Sequence, residues 1–219
     1  CMEFFIHETD LIRYYNEFRI KTLSDALKNG ESPKKVLKTA YLLNEQILKE
    51  YFENIGSSRI LRTLENLISV IQDCLAQGKL EFIDVFLITR KDDHSYTHCT
   101  NTGMYCMALA NKLKMKPEAV REIGLGGMLF SIGKKSIPYD VIIKEGELTP
   151  EEFQLIRKLP SGSRKILNDM KCYSDNILKM ALEHREKFDG TGYPFQMKGE
   201  KISLYARVVS IMDVFGEIG

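Results

Sequence analysis

Apolar residues recur at helical spacing along most of the chain. Between residues 9 and 29 they fall at Leu11, Ile12, Tyr15, Phe18, Ile20, Leu23 and Leu27, and the run stops at Asn29-Gly30, a helix-ending pair. Ser32-Pro33 opens a second helix, with proline in the first turn, where its missing N–H is not needed. The stripe Val36, Leu37, Ala40, Leu43, Ile47, Leu48 and Tyr51 carries that helix to near Gly56. A third helix is predicted over 57–77 on Ile60, Leu61, Leu64, Leu67, Ile68 and Ile71, ending at Gly78. Three amphipathic helices with short links predict a helical bundle, read as a scaffold or dimerisation surface. The short apolar run from Phe82 to Ile88 fits a strand or a buried helix equally well.

From Arg90 the pattern changes. Two histidines and two carboxylates crowd into Lys91-Asp92-Asp93-His94-Ser95-Tyr96-Thr97-His98, ahead of a helical pattern from Asn101 to Leu113. His94 and His98 are four apart and would share a face of a continuous helix, as a metal pair does, although a polar helix start is the commoner explanation. Pro117 begins a helix expected to run through Val120, Ile123, Leu125, Met128 and Leu129 to Lys134. Gly124, Gly126 and Gly127 within it predict close packing on a neighbour, since glycine is otherwise unfavourable in a helix. Thr149-Pro150-Glu151-Glu152 reads as a capped helix start, with Phe153, Leu155 and Ile156 as its buried face. Helical periodicity returns from Ile177 to His184, and Ile202 to Phe215 is largely apolar. Asp213 interrupts that last run between Met212 and Val214, so its carboxylate is expected to be buried. A buried carboxylate needs a cation, a metal or several donors; Lys134 and Arg185 are the candidate ion-pair partners, against a role in a site.

Composition narrows the class. With 219 residues and 44% hydrophobic content the chain is long enough for a sizeable core, and a net charge of +1 carries no field that would draw nucleic acid. Cys1, Cys74, Cys99, Cys106 and Cys172 are odd in number and lack CxxC spacing, which favours reduced thiols and a cytoplasmic location. No apolar run approaches the ~20 residues that span a bilayer, so no membrane partner is expected.

The segment Glu183-His184-Arg185-Glu186-Lys187-Phe188-Asp189-Gly190-Thr191-Gly192-Tyr193-Pro194 reads as a helix end breaking into a tight glycine-rich loop. It resembles the signature of the HD-GYP family, His-His-Glu-x-x-Asp-Gly-x-Gly-Tyr-Pro, with Arg185 at the second histidine. About the last 130 residues share the likeness. His98-Cys99-Thr100-Asn101 resembles the family's His-Ser-x-Asn start, and Gly124 to Pro138 its Leu-Leu-His-Asp-Ile-Gly-Lys-x-x-Ile-Pro segment. Leu148 to Phe153 is similar to its Leu-Thr-x-Glu-Glu start.

The resemblance implies an all-α phosphohydrolase domain over 90–219, preceded by an amino-terminal helical region over 1–89. Members cleave cyclic di-GMP with two or three metal ions, held by histidines and a bridging aspartate that activate a water. Carried over residue by residue, His98, His184 and Asp213 match ligands, and Lys134 matches a lysine near the phosphate. Phe130-Ser131 replaces the His-Asp doublet, Leu159 stands for a further histidine, and only four histidines occur in the whole chain. The implied state is a catalytically impaired signalling module in cyclic di-GMP pathways, holding no metal or one weakly bound iron or manganese. Binding then falls to Arg185, Lys187, Asp189, Gly190, Gly192, Tyr193 and Pro194. The implied partner is a signalling protein, a diguanylate cyclase domain by family analogy, with self-association as a homodimer through the amino-terminal helices. Two alternatives stand beside it. One is a non-hydrolysing cyclic di-GMP sensor using Lys134, Arg185 and Lys187; the other is a residual phosphodiesterase with one ion at His98, His184 and Asp213. Members usually continue beyond the Asp213 helix, so a chain stopping at Gly219 is expected to be a fragment or a trimmed lobe.

Overall fold

The computed structural model describes residues 7–90, 95–144, 146–171 and 173–218, and these are all-α, with no strand among them. By its contacts the chain divides into two compact units, Cys1–Ile88 and Thr89–Gly219.

The first unit begins with α1 (Glu8–Arg13), a π-helical stretch Tyr14–Ile20, and α2 (Lys21–Lys28). The single helix expected over 9–29 therefore contains a widened middle. Asn16 sits in it, donating from Nδ2 to Ile12 O at 3.0 Å and to Thr63 Oγ1 at 2.8 Å, while its Oδ1 accepts from Asn66 Nδ2 at 2.8 Å. This polar anchor onto the next-but-one helix competes with the regular ladder, which hydrophobic spacing does not reveal. The core is α3 (Pro33–Glu53) against α4 (Ser58–Ala76), with Leu37, Tyr41, Ile47 and Leu48 facing Leu64, Leu67, Ile68 and Ile71, all essentially fully buried. The ambiguous run after Gly78 is a short helix, α5 (Phe82–Phe86), whose Asp84 pairs with Lys34 of α3 at 2.6 Å.

The second unit holds α6 (Ser95–Lys112), α7 (Pro117–Leu129), a 3-10 turn (Ile132–Ser136), α8 (Tyr139–Ile142), α9 (Pro150–Asp169), α10 (Asp175–Glu183), a second 3-10 turn (Gly199–Lys201) and α11 (Leu204–Ile218). Glycines let α7 approach its neighbours closely: a Cβ on Gly127 would lie 2.9 Å from Gly103 Cα of α6, Gly124 makes room for Met107 of α6, and Gly126 makes room for Met180 of α10. The helix opened by Pro117 ends at Leu129 and does not continue to Lys134. The chain turns because Gly133 packs on α9, where an added Cβ would lie 2.8 Å from Ser163 N, and Gly133 N donates to Ser163 Oγ at 2.9 Å.

The capping box at the start of α9 is present: Glu152 N donates to Thr149 Oγ1 at 3.3 Å and Thr149 N to Glu152 Oε2 at 2.7 Å. Its buried face is Leu159, Pro160, Ser163 and Leu167, whereas Phe153 and Leu155 are exposed and Ile156 is half-buried. Contact with the 3-10 turn fixes which side of α9 points inward, and the first turns extend past that contact. Likewise α11 buries Val208, Val209 and Met212 but exposes Leu204, Ile211 and Val214. Burial pushes the Cys99 thiol up to about 11 and Cys74 to about 12, so both are unreactive protonated thiols at neutral pH. Among the described residues no helix is long and apolar enough to cross a membrane.

Candidate functional site

Three helices converge on Asp213. α6 contributes His98, whose Nε2 lies 2.7 Å from Asp213 Oδ1. Arg185, two residues past the end of α10, places its guanidinium 3.2 Å from Asp213 Oδ2 and 3.8 Å from Glu217 Oε1. Asp213 and Glu217 are four apart on α11 and so share a face. Of the two cations considered for Asp213, the ion pair is therefore made by Arg185. Burial pushes the Asp213 carboxyl up, but the His98 hydrogen bond and the Arg185 charge outweigh it, holding the group below its ordinary value and ionised.

Lys134 is half-buried on the first 3-10 turn, near enough to Cys99 for its charge to oppose the upward push of burial on that thiol. His184 is fully buried. Its Nδ1 meets Ala181 O at 3.0 Å, and its Nε2 has no hydrogen-bond partner. The Phe130 ring stands edge-on against it with centroids 4.8 Å apart, and also lies 6.1 Å from the His98 ring. Burial, aided by the Arg185 charge, lowers His184 to about 4, so the imidazole is neutral. Ser131 Oγ lies 3.1 Å from Cys99 Sγ. His94 lies outside the described residues.

Among the described residues, the donors close enough to share an ion are His98, Asp213 and Glu217, whose ligand atoms fall within 4.8 Å of one another. His184 is not in that set, and Glu217 was missed by sequence reasoning; its spacing of four from Asp213 was the available signal. One imidazole and two carboxylates suit a single divalent cation. They do not suit a pair of ions, because a bridging carboxylate is needed and position 131 offers a hydroxyl while position 130 offers a phenyl ring. An ion at these donors would also have to displace the guanidinium from Asp213.

The loop after α10 is held by its own acids. Glu186 is buried and accepts from Phe195 N at 2.6 Å and Met197 N at 2.9 Å; Glu183 accepts from Ser203 N at 2.8 Å. Asp189 Oδ1 accepts from Thr191 N at 2.8 Å and its hydroxyl at 2.7 Å, and Gly190 N donates to Lys187 O at 2.8 Å. Gly192 is required by space, since a Cβ there would lie 2.2 Å from Lys187 N and 2.5 Å from Glu186 Cα. Tyr193 N donates to Arg185 O at 3.1 Å, and the Tyr193–Pro194 peptide is cis. The Tyr193 ring meets Phe153 edge-on at 6.3 Å, with the Arg157 guanidinium 5.8 Å from its centroid. Lys187, Phe188 and Phe195 are exposed around the loop.

A family model described as the HD domain matches residues 85–218. A cyclic di-GMP phosphodiesterase of Pseudomonas aeruginosa is 39% identical over 127 residues, covering 58% of this chain and 31% of the relative. A 3'3'-cGAMP-specific phosphodiesterase of Vibrio cholerae is 27% identical over 178 residues, covering 81% of this chain and 33% of the relative. A cyclic di-GMP phosphodiesterase of Thermotoga maritima is 30% identical over 158 residues, covering 70% and 42%. The chain thus spans less than half the length of these curated relatives. Among solved structures, an HDG"Y"P protein from Bdellovibrio bacteriovorus superposes with a TM-score of 0.77 at 20% identity, over 94% of this chain and 67% of that one, a likeness of fold.

Proposed function

The chain belongs to the HD domain family, of the HD-GYP type, and from that premise we propose that it is a catalytically impaired HD-GYP module that acts in cyclic di-GMP signalling by binding. The observation that carries this reading is the Arg185 guanidinium 3.2 Å from Asp213, beside a Phe130 ring packed against His184. Two-ion hydrolysis asks for a bridging carboxylate and several open imidazoles around one water. Here the positions matching the doublet are a ring and a hydroxyl, and the late carboxylate is already neutralised by a side chain.

The loop, by contrast, is held in shape by hydrogen bonds from Glu186, Asp189 and its own backbone, and this supports a role in contact. In this reading Arg185, Lys187, Asp189, Gly190, Gly192, Tyr193 and Pro194 form the surface that docks a signalling protein, a diguanylate cyclase domain being the first to try. The amino-terminal helices carry self-association. Lys134, with Arg185 and Lys187, supplies the cations for a phosphate if a cyclic dinucleotide enters.

The test is turnover of cyclic di-GMP and 3'3'-cGAMP by the purified chain, with Mn2+ or Fe2+ supplied and the products resolved by chromatography. No product above the buffer control is expected. Calorimetry with the same nucleotides separates a sensor from a protein-docking module, and Tyr193→Ala should weaken capture of a purified diguanylate cyclase domain. One observation favours a second reading: His98, Asp213 and Glu217 lie within 4.8 Å and offer donors for one ion. A residual single-ion phosphodiesterase would then show slow, metal-dependent turnover in the same assay, and that result would displace the first reading.

A further inference from the structure

A guanidinium sits among three metal-competent donors. Arg185 is 3.2 Å from Asp213 and 3.8 Å from Glu217, and these carboxylates with His98 fall within 4.8 Å of one another. The Asp213 side chain is 2% exposed, so its charge needs a compensating cation close by. A divalent ion would supply that charge, and Arg185 supplies it here from a covalent tether. The two cannot both take Asp213 Oδ2 and Glu217 at these distances.

The contacts are unequal in a way that matters. Asp213 is gripped on both oxygens, by His98 at 2.7 Å and Arg185 at 3.2 Å. Glu217 is held only at 3.8 Å, and its side chain is 52% exposed, so it keeps the freedom to turn toward an ion. The His98–Asp213 hydrogen bond occupies one of the two imidazole nitrogens that could coordinate. Arg185 and this hydrogen bond together close the donor set. The wall behind it is closed: His184 is buried against the Phe130 ring, and the partly exposed groups are Glu217 and Arg185.

We propose that Arg185 is a built-in substitute for a metal ion, and that His98, Asp213 and Glu217 form a latent site for one divalent cation that opens when Arg185 is withdrawn. The inference deepens the impaired-module reading and rests on it for the loss of two-ion chemistry. The class of ion follows from the donors: one imidazole and two carboxylates favour Mn2+, Fe2+ or Zn2+ over soft monovalent ions.

Calorimetric titration of MnCl2 into the metal-stripped full chain tests this without any assay of activity. The wild type is expected to show only weak binding, with a Kd of about 1 mM or above. Arg185→Ala should tighten Mn2+ binding roughly tenfold or more, and adding Glu217→Gln should return it toward the wild-type value. In parallel, metal-free Arg185→Ala should melt below the wild type and recover on adding Mn2+, while EDTA and Mn2+ leave wild-type melting unchanged. Arg185→Gln, which keeps a hydrogen-bonding group beside Asp213, serves the same purpose if the alanine variant does not fold. Equal Mn2+ affinity in the wild type and the Arg185 variants would overturn the proposal, as would tightened binding that ignores Glu217→Gln. Turnover by the wild type would sink the functional reading and leave this competition standing, whereas a metal-indifferent Arg185→Ala would do the reverse.

Discussion

His184 is a fully buried imidazole with one nitrogen against a backbone carbonyl and the other facing no partner, and it packs against a phenyl ring. Such a group is compatible with the fold only while uncharged, which is why its folded pKa drops to about 4 against about 6.5 in an unfolded chain. Below the unfolded value the unfolded state binds a proton that the folded state refuses, so stability falls as pH falls. The full contribution is present above about pH 6.5 and is lost progressively down to about pH 4, on the order of 3 kcal/mol in all. Asp213 acts in the same direction but in a more acidic window, because its carboxyl is held below its ordinary value and its contribution is lost only as pH falls through that lowered pKa. Urea unfolding between pH 7.5 and 5 should therefore show a midpoint that declines with acid, and His184→Leu should flatten that decline. An unchanged slope in the variant would show that His184 does not carry the effect.

The loop from Arg185 to Pro194 is an element built around one carboxylate. Glu186 is 4% exposed and accepts two backbone N–H groups, from Phe195 and Met197. In Glu186→Gln one of those donors would meet an amide NH2 in place of an oxygen, at a cost of roughly 1–3 kcal/mol. Hydrogen exchange should report faster amides at Phe195 and Met197, with the Tyr193 amide, which bonds to Arg185 O, less affected. Full retention of protection would mean that the loop does not depend on Glu186. Elements of this kind differ in how far the chain announces them. The α9 start was legible because a capping box is decided within four residues, and the glycines of α7 were legible because glycine in a helix demands a packing reason. The stop at Leu129 was not, since it is set by Ser163 and Leu159, some thirty residues away. Nor was the π-helical turn, which answers to Thr63 and Asn66 on another helix. The inward face of α9 was misjudged for the same reason: Phe153 looks like core by spacing but meets Tyr193 at the surface.

At the scale of the whole second unit, the site draws on α6, the stretch after α7, the end of α10 and α11, with α9 backing the 3-10 turn. That Asp213 needs a compensating group could be argued from sequence, because an acid amid Met212 and Val214 is buried, but Lys134 and Arg185 were both open as partners and the structure selects Arg185. Glu217 was not singled out, because its spacing of four from Asp213, the one signal available, is equally that of a solvated helix end. This distribution across elements governs what reversion can achieve. Replacing Phe130→His with Ser131→Asp restores the doublet of the family signature, but Leu159 and Arg185 remain where histidines are expected and the guanidinium still holds Asp213. The new carboxylate at position 131 would enter a place 1% exposed, beside the Cys99 thiol, where an unpaired charge costs several kcal/mol. The double variant should therefore melt below the wild type, take up no second equivalent of Mn2+, and leave cyclic di-GMP intact over hours in the chromatographic assay. Turnover restored by those two changes alone would mean that the remaining ligands are more complete than the Arg185–Asp213 pair implies, and the binding reading would give way to a recoverable enzyme.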